Sequence, residues 1–392
     1  MSELSGREFA GREFAGQGSG SGPSASEPAA GRRLRELAER GGGELLGFAL
    51  EDVELEATGT VASYRARIRW PYGVREELAG MEGERAWLYP QDPELPGLKE
   101  LAYPQAAVEF CNAYEIFSGG VGAGSLKIQM VSYRPTRRAV IRLSDGRVSV
   151  YAKIYRPSAL AEMEERQRIL IEAGLPVAPI RAVDPRGVIV SAALPGIPLA
   201  GFLAVGRSPV EISTLLDLLA RLPDELTWLT PRTSWADALP HYSSLLSGIL
   251  PQAVGLLEEV KTAFDTHPYV SRTPEPVHGD FHPGQILISG DRISGLLDPD
   301  TAGPGRRVDD LATFLAHLVT LDYDPQAKPA LHKLIADWVP HFDAKVDPVQ
   351  LRVRTAAVVV SLALGPYSSG ARDWRRQTVR MLKQAQALVR QV

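Results

Sequence analysis

Residues 277–303 read VHGDFHPGQILISGDRISGLLDPDTAG, a loop-rich stretch that gathers His278, Asp280, His282, Gln285, Asp298 and Asp300 between apolar runs. Three chemistries suit such residues. His278, Asp280 and His282 stand two apart, a spacing that on a strand would line up three ligands for zinc or iron on one face. A metallohydrolase would need further ligands, and the other five of the seven histidines are scattered. Aspartates and histidines also cap helices and turns, so a charged surface loop is the second reading. The third is phosphoryl transfer, which asks the protein for positioning and charge neutralisation rather than covalent help.

Phosphoryl transfer has a short parts list. A carboxylate must face the acceptor hydroxyl. Two oxygen ligands must hold Mg2+, which is hard and octahedral. A lysine, steadied by a glutamate, must hold the α- and β-phosphates. The chain offers these in order. Asp280 follows His278 in HGDFHPGQ, and Gln285 comes later on the same loop with a side-chain carbonyl oxygen. QILIS and RISGLLD read as a hairpin about Gly290-Asp291, which returns Asp298 beside Gln285. Lys153 lies upstream, with acidic residues after it.

The elements that must position these groups are legible in outline. SLKIQMVSY (125–133), RRAVIRLS (137–144) and RVSVYAKIY (147–155) read as a three-stranded antiparallel meander, with Asp145-Gly146 as a hairpin turn and Lys153 on the third strand. SALAEMEERQRILIEAG reads as a helix from Ser158 to a stop at Gly174. Residues 180–196 read as another hairpin. Beyond residue 200 long amphipathic stretches dominate, interrupted by the chemistry-bearing loop. Strands first and helices after indicate an α+β chain with two lobes. Upstream, RRLRELAER reads as a short helix and LEATGTVASYRARIRW as paired strands, with Tyr64, Ala66, Ile68 and Trp70 alternating. Residues 1–31, which hold GREFAGREFA and a Gly/Ser/Pro/Ala run, are expected to be disordered, because they bury too little apolar surface. The expected organisation is a tail to residue 31, a cap over 32–110, a nucleotide-binding lobe over 111–195 and a helical lobe over 196–392.

The chain has 392 residues, 44% of them hydrophobic and 23% charged, with a formal net charge of −4. That balance argues against nucleic acid as a partner, since a phosphate backbone calls for a strongly basic face. The lone Cys111 excludes an intramolecular disulfide, fits a reducing, cytoplasmic setting, and reads as a core residue. The first residues lack the apolar centre of a signal peptide. The longest apolar run, AAVVVSLALG (356–365), is about half of a membrane span, so no membrane partner is expected.

HGDFHPGQILI followed by GLLDPDTAGPGRRVDDLA resembles the aminoglycoside phosphotransferase and choline kinase family, whose pattern is H-G-D-x-x-x-x-N, then I-D-W/F, then D-L-A at a helix start. The resemblance runs from about residue 110 to 390. YRPTRR with AKIYRP, and the glutamine at 285, are most similar to maltokinase-like and sugar-kinase-like bacterial members. The resemblance implies a protein-kinase-like fold: an N-lobe of antiparallel sheet plus helix, here preceded by a cap, and a mostly helical C-lobe. It implies an enzyme that uses ATP and Mg2+ to phosphorylate a hydroxyl of a sugar, amino sugar or aminoglycoside-like molecule.

The same resemblance implies roles for individual residues. Asp280 matches the catalytic base and Lys153 the lysine on the α- and β-phosphates. Gln285 and Asp298 match the metal ligands, His278 braces the loop, and Asp310 supports it. The turn SYRPTRR would cover the nucleotide, so Arg137 or Arg138 could touch phosphate, whereas SGGVGAGS (118–125) fails G-x-G-x-x-G and reads as a lead-in. The adenine-reading hinge is expected at 191–194, including Ala193. Of Glu162, Glu164 and Glu165, Glu165 is the expected partner of Lys153.

Several departures from the family pattern stand out. Gln285 replaces asparagine on a stem one methylene longer. Pro299 follows Asp298, and Asp300 is either a second metal or water contact or a turn residue. His282 is expected behind the site rather than on substrate, and Trp235, Tyr367 or Trp374 could stack on a sugar or belong to the core. Two further readings remain at this point: a non-catalytic nucleotide-binding pseudokinase, and a kinase for Ser or Thr of a peptide.

Overall fold

The computed structural model describes residues 27–56, 59–270, 273–321 and 325–392. Most of the expected disordered tail, residues 1–26, lies outside the described residues. Its end does not: helix α1 runs from Glu27 to Arg40, so residues 27–31 are helical rather than part of a tail. Ala30, Leu34 and Ala38 recur every fourth residue and are fully buried, which makes one apolar stripe. The stripe lies on an antiparallel sheet of order β1-β2-β3-β4 (Glu44–Glu56, Gly59–Trp70, Gly73–Glu82, Arg85–Leu88), against Ala62, Tyr64, Ala66, Ile68, Ala79 and Met81. The alternation in β2 is as the sequence predicts: Tyr64, Ala66 and Ile68 are buried while Arg67 and Arg69 are exposed.

Helices α2 (Leu98–Ala102) and α3 (Pro104–Ala113) fall in the segment expected to be cap, but they share a core with the next sheet. Leu98, Leu101, Ala107, Phe110 and Cys111 meet Ala139, Ile141, Val150, Ala152 and Ile154 there. Burial in that core pushes the Cys111 thiol up to about 11, as suits a packing residue. The sheet has the order β5-β6-β7-β9-β8, with β5 Lys127–Arg134, β6 Arg138–Ser144, β7 Ser149–Tyr155, β8 Ile180–Asp184 and β9 Val188–Ala192. Its first three strands are the predicted meander. The Asp145 carboxylate accepts the N–H groups of Arg147 and Val148 at 2.8 and 2.7 Å, which closes the β6–β7 turn. Helix α4 (Leu160–Glu172) starts two residues later than Ser158, after a 3-10 turn over Pro157–Ala159, and ends before Gly174 at φ +69°.

The second lobe is helical: α5 Leu199–Leu203, α6 Ile212–Ala220, α7 Leu239–Ile249, α8 Val254–Thr266, α9 Arg307–Thr320, α10 Lys328–Asp343, α11 Pro348–Leu362, α12 Gly365–Ser368 and α13 Trp374–Val389. Helix α11 is its centre, packed on α7, α8, α9 and α13. The stretch 348–368 is long and apolar enough to cross a membrane by composition, but most of it is buried inside this lobe. Arg354 within it is buried and pairs with Asp309 and, at 2.8 Å, with Asp237.

Two small antiparallel units interrupt the helices. Strands β12 (Ile286–Ser289) and β13 (Arg292–Leu296) form the predicted hairpin, with β10 (Ile197–Pro198) on its edge. Strands β11 (Glu275–Val277) and β14 (Gly303–Gly305) pair so that Val277 faces Gly303. This second pair draws the two ends of the chemistry-bearing loop together.

Candidate active site

The loop 278–285 is held from below by one buried carboxylate. Asp310, in the first turn of α9, accepts the backbone N–H groups of His278 and Gly279, each at 2.8 Å. Burial pushes its pKa up to about 7 against those two bonds. Gly279 has φ +79°, and a Cβ there would lie 2.6 Å from the Thr301 carbonyl oxygen, so only glycine fits. The His278 ring is buried, and its Nε2 lies 2.9 Å from the carbonyl oxygen of Leu297. That bond ties the loop to the residue before Asp298. Phe281 anchors the far side by stacking on Phe314 at 5.5 Å.

These restraints leave Asp280 at the surface of the cleft with both oxygens engaged. Trp235 Nε1 donates to Oδ1 at 3.0 Å, and Gln285 Nε2 donates to Oδ2 at 3.3 Å. His282 Nδ1 accepts the Gly284 N–H at 3.1 Å, which leaves its proton on Nε2, 3.8 Å from Asp280. The His282 ring stacks on His317 at 4.0 Å. Burial pushes both imidazoles down, His317 to about 3, so the stack is neutral near pH 7.

Gln285 links Asp280 to Asp298. Its amide nitrogen also lies 3.1 Å from Asp298 Oδ2, while Lys153 Nζ approaches Asp298 Oδ1 at 2.6 Å. The β12–β13 hairpin makes this possible: the Leu297 N–H donates to the Gln285 carbonyl at 2.8 Å. Asp298 sits at φ +50°, a left-handed conformation that aspartate tolerates better than most residues. Burial pushes its carboxyl up, but Lys153 and Arg138 outweigh it and hold the group far below the usual range. Lys153 also meets Asp300 at 2.8 Å, and Arg138 and the Tyr155 hydroxyl reach the other Asp300 oxygen at 2.5 and 3.0 Å.

Several expected neighbours stand elsewhere. Glu165 pairs with Arg168 on its own helix, not with Lys153. Arg166 is the buried residue of that turn, bonded to the Ala302 and Thr230 carbonyls, and it draws Glu162 to itself. Glu162 and Glu165 therefore have partners closer than the lysine. Ala193 donates its N–H to the Ser149 carbonyl at 3.2 Å, which commits that group to the sheet rather than to an adenine edge. Of the two arginines at the β5–β6 turn, Arg138 joins the cluster, while the charge of Arg137 acts on Arg232. The metallohydrolase reading fails on geometry. Residues 278–282 are not a strand, and among the described residues no three His, Cys, Asp or Glu side chains converge to hold a metal.

The profile of the phosphotransferase enzyme family matches residues 136–341. The chain belongs to this family. The span covers more than half of the 392 residues and runs from the β5–β6 turn to α10, so it contains Lys153, Asp280, Gln285, Asp298 and Asp310. As a family member the protein is a phosphotransferase with a hydroxyl acceptor, on an α+β protein-kinase-like fold. No curated protein matches the sequence. Among solved structures, it is similar to a choline/ethanolamine kinase family protein from Mesorhizobium loti (15% identity, 72% of this chain and 94% of that one, TM-score 0.47). It is also similar to a macrolide 2'-phosphotransferase from Brachybacterium faecium (17%, 72% and 98%, TM-score 0.44). A third is the Plasmodium vivax ethanolamine kinase (13%, 67% and 83%, TM-score 0.42).

The candidate site contains groups that sequence reasoning missed. Tyr155 lies two residues beyond Lys153 on the same strand, so the alternation of β7 would have put both on one face. Trp235 was a candidate sugar platform, yet its indole N–H serves Asp280, 45 positions further on, and nothing between them signals that contact. Tyr367 and Trp374 meet edge to face at 4.9 Å. The cap side also reaches the β5–β6 turn: buried Asp92 accepts the Thr136 N–H and the Tyr133 hydroxyl, each at 2.8 Å, and Trp87 Nε1 donates to that hydroxyl at 2.8 Å.

Proposed function

We propose that this phosphotransferase moves the γ-phosphate of ATP to a hydroxyl of a small molecule of the sugar, amino-sugar or aminoglycoside-like class. One observation carries the reading. Asp280, Gln285, Asp298 and Lys153 form a continuous line of contacts at 3.3, 3.1 and 2.6 Å. One end offers a carboxylate to a hydroxyl, and the other offers cations to phosphate.

In this reading Asp280 orients the acceptor hydroxyl and takes its proton as the new O–P bond forms. The bond from the γ-phosphorus to the bridging oxygen breaks, and ADP leaves with that electron pair. Trp235 fixes the direction of Asp280. Lys153 and Arg138 offset charge on the phosphate oxygens. Asp298 and Gln285 suit a hard divalent cation: both offer oxygen donors, and rotating the amide by about 180° brings Oε1 to the place Nε2 now takes beside Asp298. These two residues would hold Mg2+, which supplies charge neutralisation at the β- and γ-phosphates.

The test is a mass-spectrometric acceptor screen with Mg-ATP against amino sugars, maltose-like sugars, aminoglycosides and Ser/Thr peptides, run beside Asp280→Asn. An acceptor that gains one phosphate only with the unaltered enzyme supports the reading and names the class. Phosphorylation of peptides alone would replace it with a protein kinase. Absence of Mg-ATP binding would refute it.

A further inference from the structure

The lysine of this site has no helix glutamate, and another acid stands in its place. Glu162 is drawn to Arg166, and Glu165 is paired with Arg168. Lys153 Nζ instead touches two carboxylates, Asp298 at 2.6 Å and Asp300 at 2.8 Å. The two acids are not equivalent. The Asp298 side chain is 34% exposed, and its second oxygen faces Gln285. The Asp300 side chain is 13% exposed, and its second oxygen receives Arg138 and Tyr155. The hydrogen bonds that the Asp300 carboxylate accepts thus come from strands β6 and β7 of the nucleotide-side sheet. Pro299 and the 3-10 turn over Pro299–Thr301 splay the two aspartates so that both reach one ammonium.

We propose that Asp300 is the positioning residue for Lys153 and Arg138, doing in this protein what a helix glutamate does in the kinase pattern. The inference rests on the phosphotransferase reading above. There, Asp298 is shared with the metal, so a second carboxylate keeps the cations apart and aimed at phosphate. Asp300 is placed for that. It bridges the two cations, it is shielded from water, and it belongs to the same short segment as the metal-directed Asp298. The device moves the partner of Lys153 from helix α4 to the C-lobe. The lysine is therefore set only when the two lobes are in register.

The test uses the full chain and three readouts. Without nucleotide, mass spectrometry follows labelling of Lys153 by an amine-reactive reagent. Affinity for Mg-AMP-PNP and the Mg2+ concentration for half-saturation follow separately. Asp300→Asn is expected to speed Lys153 labelling and weaken AMP-PNP about 10- to 100-fold, the loss of one hydrogen-bonded charge partner, with the Mg2+ requirement unchanged. Glu162→Gln, Glu164→Gln and Glu165→Gln are expected to leave all three within a few-fold. In a Lys153→Met background only Arg138 is left for Asp300 to position, so the second substitution is expected to weaken AMP-PNP by less than Asp300→Asn does in the unaltered chain. That pair keeps the comparison usable if Asp300→Asn alone folds poorly. The proposal is overturned by unchanged labelling in Asp300→Asn, by a larger effect from any α4 variant, by a loss in the Lys153→Met background as large as that in the unaltered chain, or by a shift confined to the Mg2+ requirement, which would make Asp300 a metal ligand. If the unaltered enzyme does not bind Mg-AMP-PNP, the phosphotransferase reading itself falls. That failure is seen before any variant is made.

Discussion

Gln285 stands where the family pattern has asparagine, so Gln285→Asn restores the pattern and is a sharp test of the geometry. The Gln285 amide nitrogen bridges Asp280 and Asp298 at 3.3 and 3.1 Å. Asparagine draws the amide back by about 1.5 Å, one C–C bond. The backbone cannot follow, because the Gln285 N–H donates to the His282 carbonyl at 2.9 Å and its carbonyl accepts from Leu297 at 2.8 Å. Both side-chain contacts then exceed hydrogen-bonding distance. Each is a bond to a carboxylate, worth about 1.5–3 kcal/mol, and water in the cleft recovers part of it. Taking one such bond as the net loss, kcat should fall about 10- to 150-fold and the Mg2+ concentration for half-maximal rate should rise. The assay is ADP release coupled to NADH oxidation, with Mg2+ titrated at fixed ATP, using the acceptor from the screen or water. A Gln285→Asn enzyme with unchanged rate and Mg2+ requirement would refute the reasoning, since it would mean that the loop adapts to either amide.

Trp235→Phe keeps an aromatic ring and removes the N–H that Asp280 accepts at 3.0 Å, so kcat should fall about 10- to 100-fold with little change in KM for ATP; a KM effect alone would refute that role. Asp92→Ala leaves the Thr136 N–H and Tyr133 hydroxyl without their acceptor in a buried site, so urea unfolding should show a loss of about 2–5 kcal/mol and AMP-PNP affinity should drop; a loss under about 1 kcal/mol would refute the link between cap and turn. His278, His282 and His317 are all pushed down by burial, so the folded state keeps them neutral while the unfolded chain takes up protons below about pH 6.5. Stability from them is present above that pH and lost as pH falls, by at most about 1.4 kcal/mol per pH unit per histidine. Asp310, raised to about 7, works in the opposite direction between its unfolded and folded values, so the clean measurement is the difference between the unaltered protein and His317→Gln, whose urea midpoint should fall less steeply from about pH 6.5 to about 4.5.

What the sequence by itself determined was local. The Asp145-Gly146 turn, the β12–β13 hairpin that returns Asp298 to Gln285, the meander carrying Lys153 and the apolar alternation of β2 are each set by turn chemistry and periodicity over a few residues. The order of HGD, Gln285 and Asp298 was enough to indicate the chemistry, because one hairpin is all that separates them. Where composition alone was the guide it misjudged the boundary: residues 27–31 look like tail, but Ala30 and Gly31 are buried against the cap sheet and the segment is helix. The tertiary structure decided who partners whom across long separations. Lys153 meets Asp300 across 147 positions, Arg138 meets Asp300 across 162, and Trp235 meets Asp280 across 45. Helix spacing pointed to Glu165 for the lysine, but Arg166 and Arg168 are nearer to the acids of α4, and a long side chain pairs with the closest opposite charge. Ion pairs between lobes depend on how two separately folded surfaces meet, and no short-range pattern along the chain encodes that distance.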